Sequence, residues 1–251
     1  MQCGYDSRTM IVERIRVSLI LPAIDETTSL LETVRVSAER LLRYELEYVI
    51  VTHPKYTTPE CRVVIKELQA RHGASVVHFD QTLPGIGGAL REAFLKASGE
   101  VTVLMASDLE TNPQCLPAML KKIEEGYDIV ATTRWTRGAG FRGYHPVKFV
   151  LNFLFQRLFR ILYWTDLTDL TYAYRAYRSE ILQKIRWEET DFSFLFEAIL
   201  KPLRIGAKIT EVETPWRART EGVSHNSWRQ TLDYTRVGLR LRFLPKSRIL
   251  Y

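Results

Sequence analysis

Short apolar runs alternate with segments of helical periodicity through the first half of this chain. Between these runs the apolar residues recur at i, i+3 and i+4, as in the segment Thr27 to Arg43. Strands that alternate with helices of this length form a parallel sheet covered by helices. The sequence therefore predicts an α/β fold with a mostly parallel sheet and helices on both faces. The runs that predict its first strands are Arg16–Leu21, Tyr48–Val51, Ser75–Phe79 and Val101–Met105.

The second half continues the pattern with fewer strands. A chain of 251 residues is long enough for one sizeable α/β domain and short for two. Three cysteines without a CxxC pattern indicate neither a disulfide framework nor a zinc site, and they favour a reducing compartment. The predicted elements are strands at Asp128–Thr132 and Lys208–Glu213 and helices at Val147–Trp164 and Ser193–Leu200.

Two carboxylates follow the predicted strand Val101–Met105. Asp108 and Glu110 stand two residues apart, and Asn112-Pro113 then begins a helix. In open α/β sheets ligands bind at the carboxyl ends of the strands. Oxygen ligands at this spacing suit a hard divalent cation that also binds a diphosphate. Acidic residues placed against a helix dipole explain the same spacing, so both interpretations stay open here.

A glycine-rich turn, Leu83–Ala89, precedes the next predicted helix. Backbone N–H groups at such a helix N-terminus can approach a phosphate closely. The spacing is not a complete dinucleotide fingerprint, and the glycines are equally typical of a tight strand-to-helix turn.

The charge of the chain is unevenly distributed. Met1–Thr133 holds 14 Lys and Arg against 18 Asp and Glu, whereas Arg134–Tyr251 holds 21 against 11. A basic half favours nucleic acid, anionic lipid or phosphorylated substrates as partners. No basic and aromatic nucleic-acid motif accompanies it, so we expect no nucleic-acid partner.

Two segments of the basic half carry amphipathic patterns. Val147–Trp164 is broadly apolar, but Lys148, Arg157 and Arg160 interrupt it, so it is a poor membrane span. It is expected either in the core or at a membrane interface. The tail 228–251 has one apolar stripe and one arginine stripe, which predicts docking on anionic lipid or on a membrane-embedded partner. We therefore expect a cytoplasmic protein, peripheral on the cytoplasmic face of a membrane.

Five segments follow one another in the order PAIDE, GIGGA, VTVLMASDLETNP, DLTDLTYAYRAYRSEIL and WRARTEGVSH. In this order they resemble the motifs of inverting glycosyltransferases of family 2. Within that family the chain is most similar to the branch of dolichol-phosphate mannose synthases and polyprenyl-phosphate glycosyltransferases. The resemblance implies a GT-A-type, Rossmann-like domain over residues 1–227. Its nucleotide-sugar half would be about 11–133 and its acceptor half about 134–227, followed by the tail.

The resemblance also implies roles for individual residues. Asp108 and Glu110 would bind Mg²⁺ or Mn²⁺, and Asp108, Arg134 and Arg219 would be the catalytic residues. Loop closure about Gly222 would bring Arg219 to the donor diphosphate. The donor would also contact Pro22, Ala23, Asp25, Glu26, Gly85 and Gly87, and the acceptor would contact Arg134, Arg142, Asp169 and Arg175.

Several positions depart from the family pattern. His53 follows the second strand where the family has an acidic residue that contacts the base, and Ala106 replaces the first aspartate of its D-x-D motif. Asp25 replaces an asparagine, Ala173 a glycine and His225 a lysine. These changes predict an unusual nucleotide or sugar, or reduced activity.

The implied reaction is transfer of a sugar from a GDP- or UDP-sugar to a polyprenyl phosphate, inverting and metal-assisted. The acceptor phosphate is already anionic, so no general base is needed. Loop arginines such as Arg134 and Arg219 are expected to affect turnover more than folding. Two alternatives stay open: a hydroxyl acceptor, with Asp169 or Glu197 as base, and a non-catalytic glycosyltransferase-like subunit.

Overall fold

The computed structural model describes residues 14–135, 146–215 and 228–251, and these ranges contain one seven-stranded sheet. The strands are β1 Arg16–Ala23, β2 Glu45–Thr52, β3 Val76–Asp80, β4 Val101–Leu104, β5 Ile129–Thr133, β6 Arg175–Arg178 and β7 Ile209–Glu213. The α-helices of these ranges are α1 Thr28–Arg40, α2 Pro59–His72, α3 Gly85–Lys96, α4 Leu116–Glu124, α5 Pro146–Tyr163, α6 Ser179–Lys184, α7 Phe194–Ile205, α8 Trp228–Phe243 and α9 Lys246–Ile249.

The strand order is β3-β2-β1-β4-β6-β5-β7. Strand β6 pairs antiparallel with both β4 and β5, and the other neighbours pair in parallel. The carboxyl ends of β1, β2, β4, β5 and β7 therefore lie at one edge of the sheet, which we call the carboxyl edge. Residues just before β6 reach the same edge because β6 runs in the opposite direction.

Side chains of the strands alternate between two cores, one on each face of the sheet. In β1, Leu19 and Leu21 pack with residues of α1, α2 and α4, whereas Ile20 packs with residues of α3, α5, α7 and α8. This period of two with both faces covered is typical of a central strand in an α/β sheet. The prediction of a mostly parallel sheet with helices on both faces is confirmed.

Strand β6 was not predicted. Its sequence, Arg-Ala-Tyr-Arg, is only four residues long and has no apolar run. It is a strand because β4 and β5 leave an unpaired gap between them, and pairing on both sides satisfies its backbone. Since β6 comes from the second half of the chain, the two predicted halves share one continuous sheet.

The C-terminal tail is part of the second core. Val237 and Leu241, from the apolar stripe expected to dock on lipid, are 5% and 0% exposed. A Cβ atom at Gly238 would meet the rings of Phe159 and Phe196, so α8 packs closely against α5 and α7. The prediction that this stripe is available to a membrane is wrong, because the domain itself covers it.

Helix α5 has a buried side and an exposed apolar side. Phe159 is fully buried, whereas Leu158 is 56% and Ile161 68% exposed. No helix in the described parts of the chain is long and apolar enough to cross a membrane. We call the following set the α5 apolar face: Val150, Leu151, Leu154, Leu158 and Ile161.

Candidate active site

Asp108 and Glu110 lie at the carboxyl edge, directly after β4. Asp108 is 5% exposed, and its Oδ1 accepts a hydrogen bond from the Glu110 N–H at 2.9 Å. Leu109 between them has φ 63°, a left-handed conformation that a leucine rarely adopts. The helical turn that follows, Pro113–Cys115, has no acidic residue. The two carboxylates therefore lie before the helical turn rather than within it, and the choice between the cation and the helix-dipole interpretations stays a prediction.

The loop after β1 brings the Glu26 carboxylate within electrostatic range of Asp108. Glu26 Oε2 accepts hydrogen bonds from the N–H groups of Ile24 at 2.7 Å and Asp25 at 3.2 Å. Burial raises the pKa of the Glu26 carboxyl, and the nearby carboxylates of Asp25 and Asp108 raise it further. Pro22 and Ala23, at the end of β1, lie beside this loop, and the Ser107 hydroxyl donates to Pro22 O. The carboxylates of Asp25 and Asp108 therefore lie close enough to Glu26 to interact with it electrostatically.

The oxygen ligands at this edge match a hard divalent cation. Across residues 14–135, 146–215 and 228–251, no three His, Cys, Asp or Glu side chains lie close enough together to form a metal site by themselves. Asp108 and Glu110 would therefore hold such a cation together with oxygen atoms from a ligand or water.

The glycine turn has a packing explanation. Gly85 has φ 69°, and a Cβ atom there would collide with Thr190 O and lie 2.6 Å from Asp191 Oδ1. A Cβ atom at Gly87 would lie 2.6 Å from Phe194 Cβ. These glycines allow the 190–194 segment to approach α3, which is one of the two interpretations of the motif. Contact of Gly85 and Gly87 with a donor stays a prediction.

Arg134 follows β5 at the carboxyl edge and forms a buried ion pair with Asp169. Arg134 Nε lies 2.6 Å from Asp169 Oδ2, and Nη2 lies 3.1 Å from Oδ1. Asp169 is fully buried and Arg134 is 8% exposed. Paired arginine and carboxylate forks of this kind are strong and fixed in geometry. The structure brings these two predicted residues together, and it shows that Arg134 is buried in the pair although it lies in the loop after β5.

Tyr172 connects this pair to the acidic turn. Its hydroxyl donates to Glu110 O at 3.0 Å, and the Arg134 guanidinium lies 4.3 Å from the centre of its ring. Burial raises the pKa of Tyr172; Arg134 lowers it, and Glu110, Asp169 and Asp108 raise it. The charged residues of β4, β5 and the segment before β6 therefore surround one tyrosine.

Two predicted residues lie in the interior without access to a ligand. Arg175 is 0% exposed and donates to the backbone oxygens of Leu195 at 2.5 Å and Leu170 at 2.9 Å. Its position does not favour the expected contact with an acceptor. Glu197 is also 0% exposed and lies 2.7 Å from Lys201 Nζ, so its carboxylate is occupied and cannot reach a substrate hydroxyl. Asp169, the other candidate base, is occupied by Arg134.

The His53 side chain, at the end of β2, forms hydrogen bonds with the backbone of its own loop. Its Nδ1 accepts hydrogen bonds from the N–H groups of Lys55 at 3.1 Å and Tyr56 at 3.2 Å, and its ring lies 4.3 Å from that of Tyr56. Arg142 and Arg219, the other predicted site arginines, lie outside the described residues.

Three residues of this region were missed in the sequence. Tyr172 and Gln156 hold the Arg134–Asp169 pair, and Trp135 contacts Phe149 at 5.0 Å and Phe153 at 5.8 Å between ring centres. The position of Trp135 directly after Arg134 is the only feature of the sequence that could have indicated one of these three residues. The others are recognisable only once the chain is folded.

The mostly parallel seven-stranded sheet, with the acidic turn at its carboxyl edge, has the fold of the GT-A class of α/β proteins. Similar solved structures include glucosyl-3-phosphoglycerate synthase from Mycobacterium tuberculosis in complex with Mn²⁺, uridine diphosphate and phosphoglyceric acid, with a TM-score of 0.68 and 18% identity. The match covers 93% of this chain and 80% of that one. The same enzyme with Mg²⁺ and uridine diphosphate gives a TM-score of 0.65 at 19% identity, covering 91% of this chain and 79% of that one. This likeness establishes the fold.

The chain belongs to glycosyl transferase family 2, whose model matches residues 18–186. It is 33% identical over 153 residues to a dolichyl-phosphate hexose transferase of Haloferax volcanii, covering 61% of this chain and 65% of that protein. It is 25% identical over 231 residues to a dolichol-phosphate mannosyltransferase of Pyrococcus furiosus, covering 90% and 64%. Glycosyltransferase AglD of Haloferax volcanii is 28% identical over 82% of this chain. The chain spans between 34% and 65% of the length of these relatives.

Proposed function

We propose that this chain transfers a sugar from a nucleoside-diphosphate sugar to a polyprenyl phosphate, with inversion at the anomeric carbon. The observation that carries the proposal is the continuity between the charged site and an exposed apolar surface. Trp135 directly follows Arg134, and its ring contacts those of Phe149 and Phe153 on α5. The α5 apolar face continues from these two rings along the helix. A lipid phosphate has the same arrangement of an anionic head on an apolar chain.

The donor would lie along the carboxyl edge, beside Asp108, Glu110 and the loop Pro22–Glu26. A divalent cation held by Asp108 and Glu110 would neutralise the diphosphate as it leaves. Fold neighbours crystallised with Mn²⁺ or Mg²⁺ and uridine diphosphate support a donor of this class. The relatives named as acting on dolichyl phosphate support the acceptor class.

The displacement needs no proton acceptor when the nucleophile is a phosphate oxygen. That oxygen forms the new bond to the anomeric carbon while the bond to the nucleoside diphosphate breaks. The occupied carboxylates of Asp169 and Glu197 fit this mechanism, because a hydroxyl acceptor would require a free base within reach. Arg134 would lie near the acceptor phosphate, where a guanidinium stabilises developing charge.

We place the protein at a membrane surface, on the cytoplasmic face, because its acceptor would be embedded in lipid. The α5 apolar face and the basic second half support this location. An anionic surface attracts basic residues by about 1 kcal/mol each, and salt screens that attraction.

The test is a transfer assay with a panel of GDP- and UDP-sugars, Mg²⁺ or Mn²⁺, and two acceptors that differ only in the head group. A polyprenyl phosphate should be glycosylated and the matching polyprenol should not. Product stereochemistry should be opposite to that of the donor. Equal transfer to the polyprenol, or transfer only to water-soluble hydroxyl acceptors, would refute the proposed acceptor.

A further inference from the structure

Gln156 is a polar residue on the inward side of α5. It is 3% exposed, whereas Leu154 is 57% exposed on the α5 apolar face. Its Oε1 accepts a hydrogen bond from the Leu170 N–H at 2.9 Å, and its Nε2 donates to Thr171 Oγ1 at 2.8 Å. Because the oxygen must face an N–H donor, the orientation of the amide follows from this network. Gln156 therefore ties α5 to the segment before β6.

The segment that Gln156 holds is the one that orients Arg134. Asp169 is the first residue of this segment, and both of its carboxylate oxygens accept hydrogen bonds from Arg134. Gln156 Nε2 lies 3.4 Å from Asp169 Oδ1. Tyr172, three residues later, packs under the Arg134 guanidinium and bonds to Glu110 O. A shift of this segment would move Arg134 relative to the acidic turn.

We propose that Gln156 is a positioning residue for the transfer reaction: it fixes the segment 169–172 and, through Asp169, the orientation of Arg134. It also joins the α5 apolar face to the charged site, since one helix carries both. The inference rests on the proposed function, in which Arg134 faces the acceptor phosphate. Misplacement of a catalytic group by about 1 Å lowers rates by about a hundredfold, so a small relaxation here has a measurable effect.

The first experiment observes Arg134 directly in the substrate-free protein. With ¹⁵N-labelled arginine, the buried Nε–H of Arg134 should give a signal that exchanges slowly with solvent, identified by its loss in Arg134→Lys. Gln156→Met keeps a side chain of similar length without the amide, and its Nε–H should exchange about tenfold faster or more. Phe159→Leu alters the same buried side of α5 at a side chain whose ring contacts are with Phe155, Tyr163 and Phe196, and its Arg134 signal should be unchanged.

The second experiment measures transfer kinetics in the same variants. Gln156→Met should lower kcat by about tenfold or more while donor KM changes less than about twofold, because the donor site is built elsewhere. Its effect should be much smaller in an Arg134→Lys background, since both changes act on one unit. A purely structural role would lower thermal stability in Gln156→Met and Phe159→Leu alike and leave the kinetics additive.

If Gln156→Met fails to fold, Thr171→Val provides the milder test, because it removes the 2.8 Å partner of Nε2 together with a 3.4 Å contact between Thr171 Oγ1 and Asp169 Oδ1, and leaves the Gln156 bond to the Leu170 N–H in place. A folded variant with unchanged Nε–H exchange and unchanged kcat overturns the inference. If exchange accelerates but the wild type does not glycosylate polyprenyl phosphate, the positioning of Arg134 is upheld and the proposed acceptor is refuted. If the wild type is active and both readouts are unchanged in the variants, the proposed function stands and the inference fails.

Discussion

At the scale of single residues, the turn Asp108–Glu110 holds its carboxylates at a cost in backbone strain. A non-glycine residue in the left-handed region costs on the order of 1–3 kcal/mol, and such strain is concentrated at functional sites. Leu109 adopts this conformation between the two candidate ligands, and the Asp108 carboxylate accepts the Glu110 N–H that closes the turn. The turn therefore orients Asp108 before any ligand binds.

Asp108→Asn tests the charge separately from the turn. The amide oxygen of Asn can still accept the Glu110 N–H, so the backbone should be retained. We expect the Mg²⁺- or Mn²⁺-dependent part of nucleotide affinity, measured by calorimetry, to fall by about tenfold or more. Asp128→Asn is the matched control, since Asp128 also accepts a backbone N–H, from Lys208 at 2.7 Å, but lies before β5 at the opposite edge. Unchanged metal dependence in Asp108→Asn would contradict the site.

Arg134→Ala should destabilise the protein, which corrects the expectation that it folds normally. Removing one partner of a buried ion pair leaves an uncompensated charge and costs about 3–5 kcal/mol. Arg62→Ala is the control: its pair with Asp80 at 2.8 Å is 31% and 42% exposed, so its loss should cost at most about 1 kcal/mol. Urea unfolding measures the loss of unfolding free energy in each of the two variants. Equal, small losses would mean that the Asp169 carboxylate finds other partners.

At the scale of elements, the turn into α3 depends on close contact with the 190–194 segment. Gly85→Ala places a Cβ against Thr190 O, whereas Gly206→Ala, in the left-handed conformation at the end of α7, meets nothing within 4 Å. Both variants place an alanine at positive φ, so the difference between their losses of unfolding free energy measures the contact between the new Cβ atom and Thr190 O. Gly85→Ala should cost about 1–3 kcal/mol more in unfolding free energy, as overpacking does. Equal costs would show that the segment moves aside freely.

The α5 apolar face predicts lipid binding independently of the chemistry. Wild-type protein should float with anionic vesicles at low salt and be released as ionic strength rises. Leu154→Ser with Leu158→Ser should weaken binding by about tenfold or more, because each buried leucine contributes about 1.5–3 kcal/mol. The melting temperature should hardly change, since both residues are exposed.

The control for this experiment lies on the other side of the sheet. Leu42→Ser with Val63→Ser changes two side chains that are 77% and 64% exposed, near α1 and on α2. Vesicle binding should be retained in this variant. If it falls as much as in the α5 variant, the attraction is general rather than specific to the α5 apolar face.

At the scale of the whole molecule, the C-terminal tail closes the second core. Truncation before Trp228 was expected to weaken membrane binding and leave the nucleotide site intact. The structure predicts instead that truncation destabilises the whole domain, because it removes Val237, Leu241 and Ile249 from the core. The lost burial amounts to about 5 kcal/mol or more, comparable with the total stability of a domain. A truncated chain that unfolds cooperatively at the wild-type melting temperature would show that the tail is separable.

The alternation of strands and helices in the first half of the chain, and the position of the candidate acidic turn after β4, were determined by the sequence itself. Strand runs such as Val101–Met105 and helices such as α2, which begins at Thr58-Pro59, carry their signals within a few residues, so they are recognisable before folding. The placement of Asp108 and Glu110 after β4 then locates them at the carboxyl edge, because parallel strands end together. The motif order added the resemblance to family 2 glycosyltransferases.

Only the tertiary structure decided how the second half uses its polar and apolar residues. Arg134 meets Asp169 35 residues away, and the apolar stripe of α8 packs against α5 and α7. The sequence of a loop arginine is the same whether the arginine contacts solvent, lipid or protein, and the same is true of an amphipathic helix. The identity of the partner depends on which distant side chains folding brings within a few ångströms, and local periodicity does not contain that information.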